Sequence, residues 1–295
     1  MEKTTLRSAL LYSSLILLQS LLYGFGDPIS KAAYEAIPVY SLLSLRYLIA
    51  LSVLLIFAGK RIWRRLKRYP LRDWLLPSVC MALSYILNNL GLQLTAATSV
   101  SFLRSLSVVI TPLLAWLVYR KAPEPRLLAL LAVIVAGLYL LCGHGGLSGF
   151  GPGEIVSLLA ALMTAGSLVF GETALQKMDA LTLTATQTAV SAVIATACAF
   201  LFDSGIRLSL VTPSALLTIL YLAVVCTIFG YLLQNLALGR ISDRTVALLQ
   251  CSCPVFTAVF SFFLLGEVLS PAGKLGAGLI LLGVAAATIR KQPTS

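Results

Sequence analysis

Charge is what this sequence has least of. Only 11% of its 295 residues are Asp, Glu, Lys or Arg, against about 25% in an average soluble domain. With 59% hydrophobic residues and a mean hydropathy of +0.94, a water-soluble enzyme is excluded and a polytopic membrane protein is expected. Histidine is nearly missing too, and the single His144 cannot build a histidine-rich metal site. No P-loop is present, so ATP-driven transport would need a second protein. Gly149-x-Gly151-x-Gly153 precedes no strand–helix unit and is not a dinucleotide loop. A spanning helix takes about 20 apolar residues, so ten spans and tight loops use nearly the whole length. That leaves no room for a catalytic domain of about 50–250 residues. No cofactor is expected.

Six cysteines are present, nearly all inside apolar runs, where a thiol behaves as a small buried hydrophobe. Cys251 and Cys253 would point about 200° apart on a helix, so no metal or disulfide role is expected. Lys3 and Arg7 before an apolar run from Ala9 imitate a signal peptide. The run is too long and lacks a small-residue cleavage site, so a retained first helix is expected.

The apolar runs fall at about 9–30, 38–58, 74–94, 98–119, 125–142, 154–176, 180–202, 213–236, 243–265 and 272–289. Their length and lack of internal charge decide for helix in each case. Pro125 and Pro271 open two of them, in the first turn that tolerates a missing N–H. Ten spans put both termini on one side. That side carries 17 of the 22 Lys and Arg, seven of them between Lys60 and Arg72. The positive-inside rule makes it cytoplasmic. The net charge of +11 is therefore a topology signal and implies no nucleic acid. The 60–72 loop reads as a solvated face that also has the charge to touch anionic lipid.

Shifting the sequence by 146 residues against itself aligns the apolar blocks. Tyr85-Ile86-Leu87-Asn88-Asn89 falls on Tyr231-Leu232-Leu233-Gln234-Asn235, Pro125 on Pro271, Gly137 on Gly283 and Lys31 on Lys177. Between 85 and 140, twelve of 56 positions are identical, and the matched polar residues inside apolar helices carry the signal. Five spans per half is odd, so the halves would lie in opposite orientations, as in secondary transporters with a midplane site between repeats. The expected fold is all-α, with ten transmembrane helices as two inverted five-helix repeats. Residues 1–142 and 154–290 form the repeats, the glycine-rich 143–153 is a linker, and 291–295 is a cytoplasmic tail.

Tyr23-Gly24, Lys31, Pro38 and Arg46 resemble the W-G…K…P…R opening of EamA-type proteins in the drug/metabolite transporter superfamily. Thr111-Pro112-Leu113-Leu114-Ala115 before Arg120-Lys121, and Pro254-Val255-Phe256 with Leu265-Gly266-Glu267, resemble that family's helix-four and helix-nine endings. Tyr replaces the usual Trp at 23, and the first half has Lys121 where Glu267 stands in the second. The resemblance implies ten helices in two inverted halves and export of small metabolites across the cytoplasmic membrane. It also implies structural parts for Arg46 and for Glu267, the latter as a cap.

Polar side chains in hydrocarbon are costly and persist where they line a cavity or pair with each other. Tyr85, Asn88 and Asn89 on one helix and Tyr231, Gln234 and Asn235 on another read as two equivalent polar faces. They are either a solute cavity or interhelical hydrogen bonds. Arg104, whose repeat partner is Gln250, either snorkels to the outer headgroups or faces inward to hold a carboxylate, with Ser101, Ser105 and Ser107 beside it. Asp27 lies at a similar depth to Arg46, and pairing with Arg46 or Arg104 would lower the cost of burial; Asp27, Arg46 and Glu172 are the candidates for coupling or gating. Gly24, Gly26 and Pro28 would let that helix end bend as a gate. Glu172 is either an unpaired carboxylate suited to proton coupling or a partner of Lys177 or Arg240.

The function expected is a secondary transporter exporting small polar metabolites, amino acids or related zwitterions, by alternating access. Its partners are a small-molecule substrate, membrane lipid and protons, and it is a monomer or homodimer. A passive facilitator, an exporter of organic cations or drugs, and a lipid flippase are the alternatives within transport. An intramembrane enzyme rests only on the Gly146-Leu147-Ser148-Gly149 string, in the same loop as His144.

Overall fold

The computed structural model describes residues 6–120, 125–142, 151–266, 268 and 270–289, and among these there is no strand. Most of the 143–153 linker, the 291–295 tail, Lys121, Glu267, His144 and the Gly146–Gly149 string lie outside the described residues.

Every apolar run of the sequence coincides with helix. The elements are α1 (Leu6–Ala33), α2 (Val39–Leu66), α3 (Leu71–Leu94), α4 (Ala97–Ser105), α5 (Ser107–Tyr119), α6 (Pro125–Cys142), α7 (Pro152–Leu175), α8 (Ala180–Phe202), α9 (Pro213–Tyr221), α10 (Gly230–Leu238), α11 (Asp243–Gln250), α12 (Cys253–Leu265) and α13 (Pro271–Ile289). A π-helical stretch, Leu222–Phe229, joins α9 to α10. Eight helical segments are long and apolar enough to cross a membrane, and Leu128–Gly137 and Pro271–Gly283 are shorter apolar helices.

Helix α2 runs eight residues beyond its apolar run, because Lys and Arg are good helix formers that merely leave the hydrocarbon. It ends just ahead of Pro70, and the chain resumes helix at Leu71. Helix α1 stays continuous through Pro28 to Ala33. Its glycines serve packing where a bend was expected: a Cβ at Gly24 would lie 2.4 Å from Phe256 Cβ, and one at Gly26 would lie 2.9 Å from Cys226 Sγ.

Three spans that read as continuous are interrupted. The fourth breaks at Leu106, between α4 and α5. The ninth breaks at Cys251–Ser252, between α11 and α12. Pro254 explains the second break, since its ring would clash with the Gln250 carbonyl four residues back. At the first, Ser105 Oγ donates to the Ser101 carbonyl, a back-bond that bends helices. In the eighth span Thr227 Oγ1 donates to the Leu222 carbonyl, five residues back, within the π stretch. Under the 146-residue shift the two breaks coincide.

Helix α3 packs on α7, α2 on α8, α1 on α12, and α6 on α13. Small residues permit the close approaches, as is usual between membrane helices. Ala160, Ala161 and Ala165 of α7 are fully buried, and a Cβ on Gly91 would lie 2.6 Å from Ser157 Oγ. The α6–α13 contact is reciprocal: Gly137 lies against Ile280 and the Gly276 carbonyl, while Gly283 lies against Ile134. Gly276 and Gly283 of the last helix thus pack within the chain.

The ends of α2, α3, α7 and α8 meet on one side, tied by Arg65–Asp179 and Lys177–Asp73 ion pairs of 2.5 and 2.7 Å. Asp179 also caps α8, accepting from the Thr182 N–H at 3.1 Å. Burial raises the Asp179 pKa, but hydrogen bonds from Arg65 and Thr182 outweigh it and hold the carboxyl below the ordinary range. On the opposite side Lys31 Nζ donates to the Thr95 carbonyl and Thr95 Oγ1 to Glu154.

Candidate solute site between the helices

The two broken helices border an internal cavity. Arg104, Ser105 and Ser107 flank the first break, and Gln250 and Cys253 the second. Helix α1 adds Ser20 and Tyr23, α3 adds Met81, Ser84 and Tyr85, α7 adds Thr164 and Ser167, and α10 adds Gln234. The cavity measures about 30 Å³. That is room for a water molecule and far below the several hundred Å³ of a usual small-molecule site. An organic solute fits only if the surrounding helices separate.

Arg104 faces inward and does not snorkel. Only 9% of it is exposed, and one guanidinium nitrogen contacts Asp27 Oδ2 and Cys253 Sγ, each at 3.3 Å. Asn88 Nδ2 donates to the other Asp27 oxygen at 3.5 Å. Of the two arginines that could have paired with Asp27, the ion pair goes to Arg104. Arg46 is buried instead between the rings of Tyr47 and Tyr85, 5.3 and 5.6 Å from their centres. Its Nε donates to Thr227 Oγ1 at 2.8 Å, so it docks on the π stretch, a deviation frequent at functional sites.

Three glutamines form the cavity's second polar feature. Gln19 and Gln250 both donate to Gln234 Oε1 at 2.9 Å, and Gln250 also donates to Gln19 Oε1 at 3.1 Å. Ser20 Oγ and Tyr23 OH are buried without a partner among the described residues. The sequence reading missed Gln19 and Ser20, although a Gln-Ser pair in the middle of an apolar span was a visible signal. It also missed Thr164 and Ser167, which small apolar neighbours disguise.

Of the residues expected to bind solute, Tyr85, Arg104, Gln234 and Gln250 line the cavity. Four others do not. Asn89 is consumed locally, donating to the Tyr85 carbonyl and accepting from Tyr34 OH. Asn235 turns to α8, where it donates to Thr184 Oγ1 and Gln187 Oε1. Tyr231 is fully buried, with its hydroxyl 3.1 Å from that of Tyr47. Asn88 reaches the cavity's wall only through Asp27. The side chains of these four are thus engaged in hydrogen bonds within or between helices, away from the cavity lining. The tyrosines do meet, with Tyr85 and Tyr231 rings 5.3 Å apart.

Glu172 lies outside the cavity. It accepts from the Asp243 N–H at 3.4 Å, at the start of α11, where that dipole end favours an anion. Lys177 is engaged by Asp73, and among the described residues neither Lys177 nor Arg240 forms an ion pair with Glu172.

Apolar helices closing on a polar cavity between discontinuous helices are the architecture of a membrane transporter. The sequence model of the EamA-like transporter family matches residues 10–143 and 151–289, and the chain belongs to that family. Two uncharacterized transporters of Archaeoglobus fulgidus are 26% and 27% identical, over 95% and 89% of this chain and 87% and 92% of theirs. The uncharacterized transporter YwfM of Bacillus subtilis is 24% identical over 97% of both chains. One solved crystal structure shares the fold at a TM-score of 0.75 with 19% identity, covering 95% of this chain and 96% of that one.

Proposed function

We propose that the protein is a secondary transporter that exports small, polar, carboxylate-bearing metabolites, amino acids and related zwitterions, across the cytoplasmic membrane. The observation that carries this reading is Arg104, buried beside a helix break and lining the cavity. Its guanidinium offers paired donors to a carboxylate. The glutamine cluster and the orphan hydroxyls of Ser20 and Tyr23 would take the solute's other polar groups.

The mechanism is alternating access by two inverted five-helix halves crossing the membrane ten times. The coincident breaks, the reciprocal Gly137–Ile280 and Gly283–Ile134 contacts and the two stretches matched by the family support the repeat. The cavity's small size is consistent with a closed state that must open to either side. The distribution of Lys and Arg supports cytoplasmic termini.

Coupling to protons runs in this reading through Glu172, with the Asp27–Arg104 pair as the gate. A passive facilitator is the second reading, favoured by one observation: Glu172 sits beside Asp243 and not in the cavity lining.

Counterflow in liposomes tests the proposal, using labelled amino acids, organic cations and nucleosides with and without a pH gradient. Saturable counterflow of carboxylate solutes, lost in Arg104→Ala, is expected. A gradient that drives uptake uphill favours the coupled form, and mere equilibration the facilitator. Silence across the panel would overturn the reading in favour of lipid substrates.

A further inference from the structure

Resting on the transport reading but narrowing its substrate class, we infer that the solute carries a net negative charge, so that among carboxylate-bearing metabolites one lacking a free ammonium is carried in preference to the zwitterions proposed above or to a cation.

The charges around the cavity do not balance. Among the described residues Arg104 is the single formally charged one in its lining. The nearest carboxylate, Asp27, is 8% exposed and already holds Arg104 and Asn88. A second cation, Arg46, 3% exposed, lies 5.6 Å from the centre of the Tyr85 ring. Among the described residues no carboxylate reaches ion-pair distance of Arg46. Its partners are Thr227 and the faces of two tyrosines. Two arginines therefore stand against one carboxylate in a region of low dielectric, where an uncompensated charge is costly.

An arriving anion would restore neutrality. Tyr85, with the cavity on one side and Arg46 near its ring, transmits none of the guanidinium's hydrogen bonds but little screens its field, since charges interact strongly across such short apolar gaps. Arg104 spends a single nitrogen on Asp27 and Cys253, which leaves it donor capacity for a carboxylate. Ser20 Oγ and Tyr23 OH add unpartnered hydroxyls to the same wall.

An ammonium finds no equivalent. Among the described residues no carboxylate lines the cavity, and Gln234 Oε1 already accepts from two amides. Moving Asp27 to the ammonium would strand Arg104. An organic cation meets two buried positive charges of its own sign. Zwitterions bring no net charge and leave the imbalance untouched.

The test uses purified full-length protein and three probes with one side chain: N-acetylleucine, leucine and leucinamide, mono-anion, zwitterion and mono-cation at pH 6.5. Each is titrated in a thermal-shift assay and as competitor in counterflow of whichever labelled solute the protein carries. The anion is expected to act at concentrations at least tenfold below leucine, and leucinamide to be inert. Arg46→Lys should keep that order, whereas Arg46→Gln, checked for folding by gel filtration, should bring anion and zwitterion together. Leucine or leucinamide equal to the anion would overturn the inference while leaving transport intact. If the leucine scaffold is not recognised, the net charge of the solute carried decides: an anion supports the inference and any other charge refutes it. If no solute shows counterflow, the transport reading fails, and this inference with it.

Discussion

The rings of Tyr85 and Tyr231 meet 5.3 Å apart, centre to centre, and these are the two tyrosines that fall on each other when the sequence is shifted by 146 residues. A residue touching its counterpart is what a two-fold relation between the halves produces, because such a pair can meet only near the axis. The cavity lies against Tyr85, and the helix breaks lie to either side. In the proposed two-repeat reading the site lies where the halves converge, and the differences between them give it chemistry. Arg104 in the first half matches Gln250 in the second, so one wall is charged and the other neutral.

The Asp27–Arg104 pair is buried, so removing one partner strands the other. Arg104→Met and Asp27→Leu alone should each cost about 3–5 kcal/mol, and the double substitution should cost less than their sum. A double-mutant cycle by thermal or denaturant unfolding in detergent measures the coupling, and additive losses would contradict the pair.

Gly24 admits no side chain. A Cβ there would lie 2.9 Å from two backbone atoms, Phe256 C and Thr257 N, as well as 2.4 Å from Phe256 Cβ, and backbone cannot rotate away. Gly24→Ala is expected to lose about 1–3 kcal/mol, seen as a lower unfolding temperature. Gly278→Ala, with nothing within 4 Å of the added carbon, should be neutral or slightly stabilising.

Asp179 predicts a pH effect with a definite sign. Its carboxyl is held below the ordinary range, so the stability it contributes is fully present above the unfolded value of about 3.9. That contribution is lost as pH falls through the lower folded value. Asp179→Ala should lower stability by about 1 kcal/mol through the lost cap, with little more from the partly exposed Arg65 pair. The difference in unfolding temperature between wild type and variant should be constant near neutrality and shrink as pH falls below about 4. A difference that stays constant through the acid range would contradict the assignment.

Glu172→Gln separates the two forms of transport. If coupling runs through this carboxylate, the variant keeps counterflow but loses its response to a pH gradient. An unchanged pH profile clears Glu172 of the role.

The outline of this fold was legible because hydrocarbon imposes it: runs of about 20 apolar residues become helices whatever their neighbours. The interior detail was not. The break at Cys251–Ser252 follows from Pro254, yet the one at Leu106 has no proline to announce it, and the π stretch contains a threonine back-bond that no sequence pattern announces. Helical spacing placed Tyr85 with Asn89 and Tyr231 with Asn235. It could not tell that Asn89 would bond its own helix or that α8 would offer Asn235 two acceptors. Arg104 was recognisable as costly in a membrane, but the choice of Arg104 over Arg46 for Asp27 was set by packing alone.

The most direct test of the account asks whether the cavity opens to both sides in turn. With Cys253, which lines it, as the only remaining cysteine, a membrane-impermeant maleimide is applied to vesicles from the outer face and, separately, from the inner face. Labelling from each face, slowed from both by the transported solute, is the result expected of two halves rocking about this site. Labelling from one face only, whatever the solute, would contradict it.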